Sequence, residues 1–140
     1  MIGRAVRLAV LAHSGRITTI IYALAATVLI VDDHPSFRQS ARLLLESDGW
    51  DVVGEVADGQ SALDAARELA PDLVLLDVQL PDLDGFEVSR RLRANGDGPQ
   101  VVMTSSRDAC DYGTLAMDNG ARGFVAKAEL SGAALEALLR

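Results

Sequence analysis

Hydrophobic and polar positions alternate along this chain in two periods, and the switch between them recurs five times. Thr27–Val31, Asp51–Val56, Leu73–Leu76, Val101–Met103 and Gly123–Val125 are short runs rich in Val, Leu and Ile, bounded by Gly, Pro or Asp. Such runs predict strands, and their nearly unbroken apolar character predicts a sheet covered on both faces. The segments between them carry helix spacing. Phe37, Ala41, Leu44 and Leu45 fall at i, i+4, i+7 and i+8, with Pro35 in a first turn and Gly49 as a stop. A second helix starts at the capping residue Asp58, runs through Ala62, Ala65, Ala66 and Leu69, and ends before Pro71. Asp84 and Glu87 have capping-box spacing ahead of Val88 and Leu92, with Gly96 terminating. Asp108 opens a helix through Leu115 and Met117 to Asn119-Gly120, and Ser131 caps a last one carrying Leu135, Leu138 and Leu139.

Strict alternation of strand and helix implies right-handed crossovers, a parallel sheet and helices on both faces. The expected fold class is therefore α/β, a flavodoxin-like doubly wound five-stranded parallel sheet of order 2-1-3-4-5 with five helices. In that order the first and third strands are neighbours, and ligands bind beyond their carboxyl ends. Asp32, Asp33, Asp77 and Thr104 all stand at such ends.

Length allows one domain: 140 residues, 49% of them hydrophobic, suffice for an ordinary core. The division expected is an N-terminal extension, residues 1–25, and a folded body, residues 26–140. Met1–Arg16 contain Arg4, Arg7, His13 and Arg16 and no acid, and an apolar stretch follows to Ala26. This imitates an export signal. The apolar stretch, however, runs on into the first predicted strand, and the fifteen residues from Ile17 to Val31 fall short of the roughly 20 needed to span a bilayer. An extension is preferred, either helical or the product of an upstream start codon, with an amphipathic membrane-surface or dimer-forming segment as the alternatives.

Net charge −7 and a pI near 4.7 argue against a nucleic-acid surface. Arg90-Arg91-Leu92-Arg93 is the nearest to a basic patch and reads as a solvated helix face. The single cysteine, Cys110, forbids an internal disulfide and reads as a small core or helix residue, so a cytoplasmic location is expected.

Charge changes the picture most at one position. Of thirteen basic side chains twelve are Arg, and Lys127 is the only lysine. Position 127 thus calls for a compact ammonium rather than a planar guanidinium, and its partners would be Asp32, Asp33 and Asp77. Three carboxylates gathered at one sheet edge repel one another unless a cation intervenes. Carboxylate, carbonyl and water oxygens suit a hard ion, Mg²⁺ with Mn²⁺ as the alternative, in preference to zinc. His34, next to the acids and ahead of Pro35, reads as a partly exposed loop residue rather than a ligand.

The motifs Val28-Leu29-Ile30-Val31-Asp32-Asp33-His34-Pro35, Asp72-Leu73-Val74-Leu75-Leu76-Asp77 through Asp84-Gly85, Val101-Val102-Met103-Thr104-Ser105 and Gly120-Ala121-Arg122-Gly123-Phe124-Val125-Ala126-Lys127, in this order, resemble the receiver domain of bacterial two-component response regulators. The resemblance covers about residues 26–140. It implies that Asp77 is the phosphoacceptor, taking a phosphoryl group from a histidine of a sensor kinase or histidine phosphotransfer protein. It implies that Asp32 and Asp33 hold Mg²⁺ with Asp77 and the backbone carbonyl of Gln79, that Lys127 pairs with a phosphoryl oxygen, and that a strand-end hydroxyl and the aromatic Phe124 act as the switch. The hydroxyl is Thr104 counting forward from Pro99 and Ser105 counting back from Lys127; Thr104 is preferred because loops take insertions more readily than strands.

By the same resemblance Gln79 and Ser106 occupy positions that tune acyl-phosphate hydrolysis. Ala128 departs from the family, where a proline often follows the lysine. No output segment is visible after Lys127, so the expectation is a stand-alone receiver, not an enzyme, that phosphorylates and dephosphorylates itself. It would act through the face of helix 4, strand 5 and helix 5 on an output protein, with no nucleic-acid or membrane partner and with a homodimer as an alternative state. Two rival readings are a constitutive receiver-like interaction module that is never phosphorylated and an aspartyl-phosphate phosphatase or phosphotransferase. The latter would want an acid two residues after its nucleophile, where Gln79 stands.

Overall fold

A computed structural model of the protein describes residues 6–13, 17–24, 26–94, 96–107 and 109–140, the segments 6–24 and 109–111 by backbone alone. Strands β1 (Val6–His13) and β2 (Ile17–Leu24) form an antiparallel pair, with Val6 opposite Leu24 and His13 opposite Ile17. A helical extension is thereby corrected. The run Ile17-Thr18-Thr19-Ile20-Ile21-Tyr22 is dense in β-branched and aromatic residues, which lose rotamer freedom in a helix and fit a pleated strand.

The remaining strands are β3 (Thr27–Val31), β4 (Asp51–Val56), β5 (Leu73–Asp77), β6 (Gln100–Ser105) and β7 (Gly123–Ala126). They form one parallel sheet in the order β4-β3-β5-β6-β7, which is 2-1-3-4-5 when these five are counted alone. Helices α1 (Pro35–Ser47), α2 (Gly59–Leu69), α3 (Gly85–Arg93) and α4 (Ala109–Asp118) make the crossovers, α5 (Gly132–Leu139) follows the last strand, and Lys127–Glu129 form one 3₁₀ turn.

Period-2 alternation along the strands divides the core into two layers. Val28, Ile30, Leu73, Leu75, Val102 and Val125 pack with Ala41 and Leu45 of α1, Leu135 of α5 and Trp50. Leu29, Val31, Val74, Leu76, Val101, Met103 and Phe124 pack on the opposite face with Ala62 and Ala66 of α2, Val88 and Leu92 of α3, and Ala116 of α4. Every residue of β3 and β5 is buried. At roughly 1.5–3 kcal/mol for each large apolar side chain taken fully out of water, these two strands supply the densest stabilisation in the sheet. At its foot the buried Thr27 hydroxyl donates to Asp72 Oδ2 and accepts from Asp72 N–H, joining β3 to the start of β5.

Helix ends follow the expected chemistry, with one correction. Asp58 Oδ1 accepts from Ser61 N–H and Ser131 Oγ from Ala134 N–H. Gly49 ends α1 at φ +96°, a conformation open to glycine at little cost. Asp84 accepts from Phe86 N–H, but Glu87 does not complete a capping box; it pairs with Arg90 and Arg91 one turn on, where opposite charge offers a stronger partner than the cap amide. Arg93 turns to the Gly98 and Pro99 carbonyls, so the basic run is engaged locally. Asp108 and the side chain of Cys110 lie outside what is described. Among the described residues no helix is long and apolar enough to cross a membrane.

Candidate functional site

Strands β3 and β5 are neighbours in register, Val31 opposite Leu76, so the next residue of each delivers a carboxylate to the same edge. Asp32 is fully buried and Asp77 almost so, while Asp33 is exposed at the rim. From the end of β7 on the other side of β6, Lys127 reaches across. Its Nζ lies 2.6 Å from Asp32 Oδ2 and 3.3 Å from Asp77 Oδ2. Below the ammonium stands the ring of Phe37, 4.6 Å from Nζ to the centroid. Four elements thus fix one charge.

His34 contributes more than its exposed position suggested. Its backbone N–H donates to Asp32 Oδ1 at 2.8 Å, and its ring Nδ1 lies 2.9 Å from that oxygen and 3.1 Å from Asp33 Oδ1. Arg38 donates to the Asp32 carbonyl at 2.6 Å, which ties the start of α1 to the end of β3. Ligand atoms of Asp32, Asp33, His34 and Asp77 all fall within 4.8 Å of one another.

The electrostatics differ between the two buried acids. Burial pushes Asp32 up, but Lys127 and the His34 backbone and ring groups outweigh it, so its carboxyl ends below the ordinary range. Burial also pushes Asp77 up, the Asp32 charge adds to it, and the Gln79 N–H and Lys127 offset this only in part, so Asp77 ends above the ordinary range. Burial presses Lys127 down, yet the two carboxylates reverse this and keep it charged. The donors are oxygens of two buried carboxylates and one at the rim, a set that suits a hard divalent cation retaining part of its water shell.

Beyond the acids, Thr104 lies opposite Asp77 in the β5–β6 register and accepts Val78 N–H at its backbone carbonyl. Strand β6 extends past the Val-Val-Met run through Thr104 and Ser105, because ladder pairing continues where apolar character stops. The Thr104 hydroxyl is buried and has no hydrogen-bond partner among the described residues. Ser105 is half-buried and its Oγ accepts from Arg107 N–H. Of the two candidates the structure therefore sets Thr104 beside Asp77. Phe124 is buried in β7, its ring 5.6 Å from that of Tyr112 on α4, which is 6.0 Å from Phe86 on α3.

Gln79 sits in the loop joining β5 to α3, where its N–H donates to Asp77 Oδ1 at 3.2 Å. The loop closes tightly: Gly85 N–H donates to the Val78 carbonyl, and Gln79 and Asp84 bridge. A Cβ on Gly85 would stand 2.3 Å from the Asp77 carbonyl oxygen, so only glycine fits. A groove of about 990 Å³ opens elsewhere, lined by Trp50, Ala70, Pro71 and Pro99, and none of the site's acids borders it. The contacts of Phe37 and His34 with the site were not read from sequence; a sequence shows neither that a ring lies under Lys127 nor that an imidazole turns back on its neighbours.

The family model of the response regulator receiver domain matches residues 28–139. MtrA of Mycolicibacterium smegmatis, a DNA-binding response regulator, is 42% identical over 100 residues, 71% of this chain and 43% of that protein. BvgA of Bordetella pertussis, named for positive transcription regulation of virulence factors, is 41% identical over 102 residues, 73% of this chain and 49% of that protein. The chain thus spans somewhat under half the length of these curated relatives. Among solved structures, the signal receiver domain ascribed to NarL of Mycobacterium tuberculosis is similar with TM-score 0.73 and 32% identity, over 82% of this chain and 97% of that one.

Proposed function

The chain belongs to the response regulator receiver domain family of two-component signalling, and from that footing we propose that Asp77 accepts a phosphoryl group from a phosphohistidine and thereby switches a protein-binding surface. The donor is a sensor histidine kinase or a histidine phosphotransfer protein. The observation that carries the reading is Lys127 Nζ standing between Asp32 and Asp77, at 2.6 and 3.3 Å, where two strand ends converge.

An Asp77 carboxylate oxygen forms the new O–P bond as the P–N bond of the donor breaks, and the departing imidazole keeps the electron pair. A carboxylate is a modest nucleophile towards an anionic phosphoryl group, so placement and charge neutralisation carry the catalysis. Gln79 N–H orients the carboxylate through Oδ1. Lys127 meets the charge arriving on the phosphoryl oxygens. Asp32, Asp33 and Asp77, with the Gln79 carbonyl, would hold Mg²⁺ or Mn²⁺, which when bound would neutralise part of the same charge. The chain itself supplies this machinery and turns over no separate substrate, so the protein is a self-catalysing phosphoacceptor rather than an enzyme.

The switch begins at Thr104, whose buried hydroxyl has no competing partner among the described residues and donates to the phosphoryl group. Its movement frees space next to β7, and Phe124 reorients against Tyr112. The altered surface is α4, β7 and α5, on which Leu115 and Met117 already stand exposed. That surface is where an output protein or a second copy docks. Residues 26–140 form the receiver and 1–25 an extension to it. DNA binding is named for MtrA; in this acidic body we assign no nucleic-acid surface, and the location we propose is cytoplasmic.

The test is intact-protein mass after incubation with Mg²⁺ and acetyl phosphate, for the parent and for Asp77→Asn. One phosphoryl adduct on the parent alone supports the reading. An adduct on both removes Asp77 as acceptor, and no adduct on a parent shown to bind Mg²⁺ favours a constitutive interaction module.

A further inference from the structure

Asp82 lies at the far side of the loop that carries Gln79, and its carboxylate belongs to another element. Oδ1 accepts from Gly59 N–H at 2.7 Å and Oδ2 from Gln60 N–H at 2.9 Å, while Leu83 N–H donates to Oδ1 at 2.8 Å. With Asp58 Oδ1 taking Ser61 N–H, the orphan amides of Gly59, Gln60 and Ser61 in the first turn of α2 each have a partner. Two of these three are held from a loop more than twenty residues away in sequence.

The approach is close as well as polar. A Cβ on Gly59 would stand 2.9 Å from Leu83 Cβ and 2.9 Å from Val88 Cγ2, so the first residue of α2 is flush against the loop and α3. The Gln60 and Gly59 amides hold the Asp82 carboxyl below its ordinary range, as an anion at a helix N-terminus should be. The loop is short and pinned at its base by Gly85 N–H on the Val78 carbonyl and by the Gln79–Asp84 bridge. Its outer end has Asp82 as anchor.

We propose that Asp82 is a positioning residue for the metal and phosphoryl site: by fastening the Val78–Asp84 loop to the N-terminus of α2 it sets the peptide of Gln79 against Asp77. Asp82 touches neither ion nor phosphoryl group. The inference rests on the reading of Asp32, Asp33, Asp77 and the Gln79 carbonyl as the Mg²⁺ site. It makes the seat of α2 a determinant of metal affinity, although α2 contributes no ligand.

Calorimetric Mg²⁺ titration of the full chain tests this on Asp82→Ala, Asp82→Asn and the control Asp48→Ala. Asp48 caps α5 in the same manner, through Gly132 N–H at 2.7 Å, and belongs to no part of the site. Asp82→Ala should weaken Mg²⁺ binding about tenfold, the scale of lost outer-shell support at metal centres. Asp82→Asn, retaining one acceptor oxygen, should recover part of this. Asp48→Ala should lower the unfolding midpoint comparably and leave Mg²⁺ binding unchanged. Parent-like affinity in Asp82→Ala, or an equal loss in Asp48→Ala, overturns the inference alone. A parent that binds no Mg²⁺ overturns the site reading, and the inference with it.

Discussion

Asp77 and Thr104 are paired across β5 and β6, both buried, yet the Thr104 hydroxyl makes no hydrogen bond to the carboxylate or to any other described group. A buried hydroxyl without a partner costs folding free energy, typically about 1–3 kcal/mol. Its persistence beside Asp77 fits the proposed role of Asp77 as phosphoacceptor, in which the hydroxyl acts on a group that arrives later.

Thr104→Val, which replaces the hydroxyl with a methyl of similar size, should therefore raise stability by about 1 kcal/mol. It should also uncouple phosphoryl incorporation from any change at Phe124. Chemical unfolding reads the first and aromatic NMR shifts the second. Ser105→Ala should do neither.

Asp77 should make the protein less stable as pH rises, in chelator. Its carboxyl is raised in the folded state, so it is without penalty below the unfolded value of about 4 and penalises the fold as pH climbs through the folded value. Asp32 is lowered, and its contribution is present above the unfolded value and fades only on acidification below it. Asp77→Asn should accordingly have a higher unfolding midpoint than the parent at neutral pH, with the gap closing towards pH 4 and narrowing with Mg²⁺. A gap that stays constant with pH would show that Asp77 is not the titrating group.

Phe37→Leu should keep α1 packed while removing the ring beneath Lys127. A partly desolvated cation–π contact contributes about 1 kcal/mol. The expected result is a loss of that order in stability together with slower phosphoryl incorporation and unchanged Mg²⁺ binding, since no metal-site acid has moved. Slowed incorporation with equally weakened Mg²⁺ binding would refute the separation.

Gly85→Ala should cost about 2–4 kcal/mol, because its Cβ would meet the Asp77 and Val78 carbonyl oxygens, which are backbone and cannot rotate away. Thermal unfolding checks this. An alanine tolerated at parent stability would mean the β5–α3 loop sits farther from Asp77 than described.

Much of this was legible because strand and helix periods are local. The Val28–Val31 and Leu73–Leu76 runs, the helix spacing from Phe37 to Leu45 and the caps Asp58 and Ser131 need only near neighbours in sequence to be recognised. Alternation of the two periods then restricted the topology, and topology placed Asp32 beside Asp77. The β1–β2 pair is less legible because the basic start and short apolar run of that segment mask its β-branched density, and the capping box at Asp84 fails because Glu87 has arginines nearer to hand.

The sequence by itself determined the order of elements from β3 onward, the two-faced core and which residue types end β3, β5 and β7, since these follow from hydrophobic pattern and chain connectivity. Only tertiary structure decided what each charge meets. That Thr104 rather than Ser105 lies beside Asp77, that Phe37 underlies Lys127 and that Asp82 closes the first turn of α2 all depend on side-chain directions across crossovers. Hydrogen bonds and ion pairs act over about 3 Å, and no local pattern specifies a distance of that size between residues twenty to ninety positions apart.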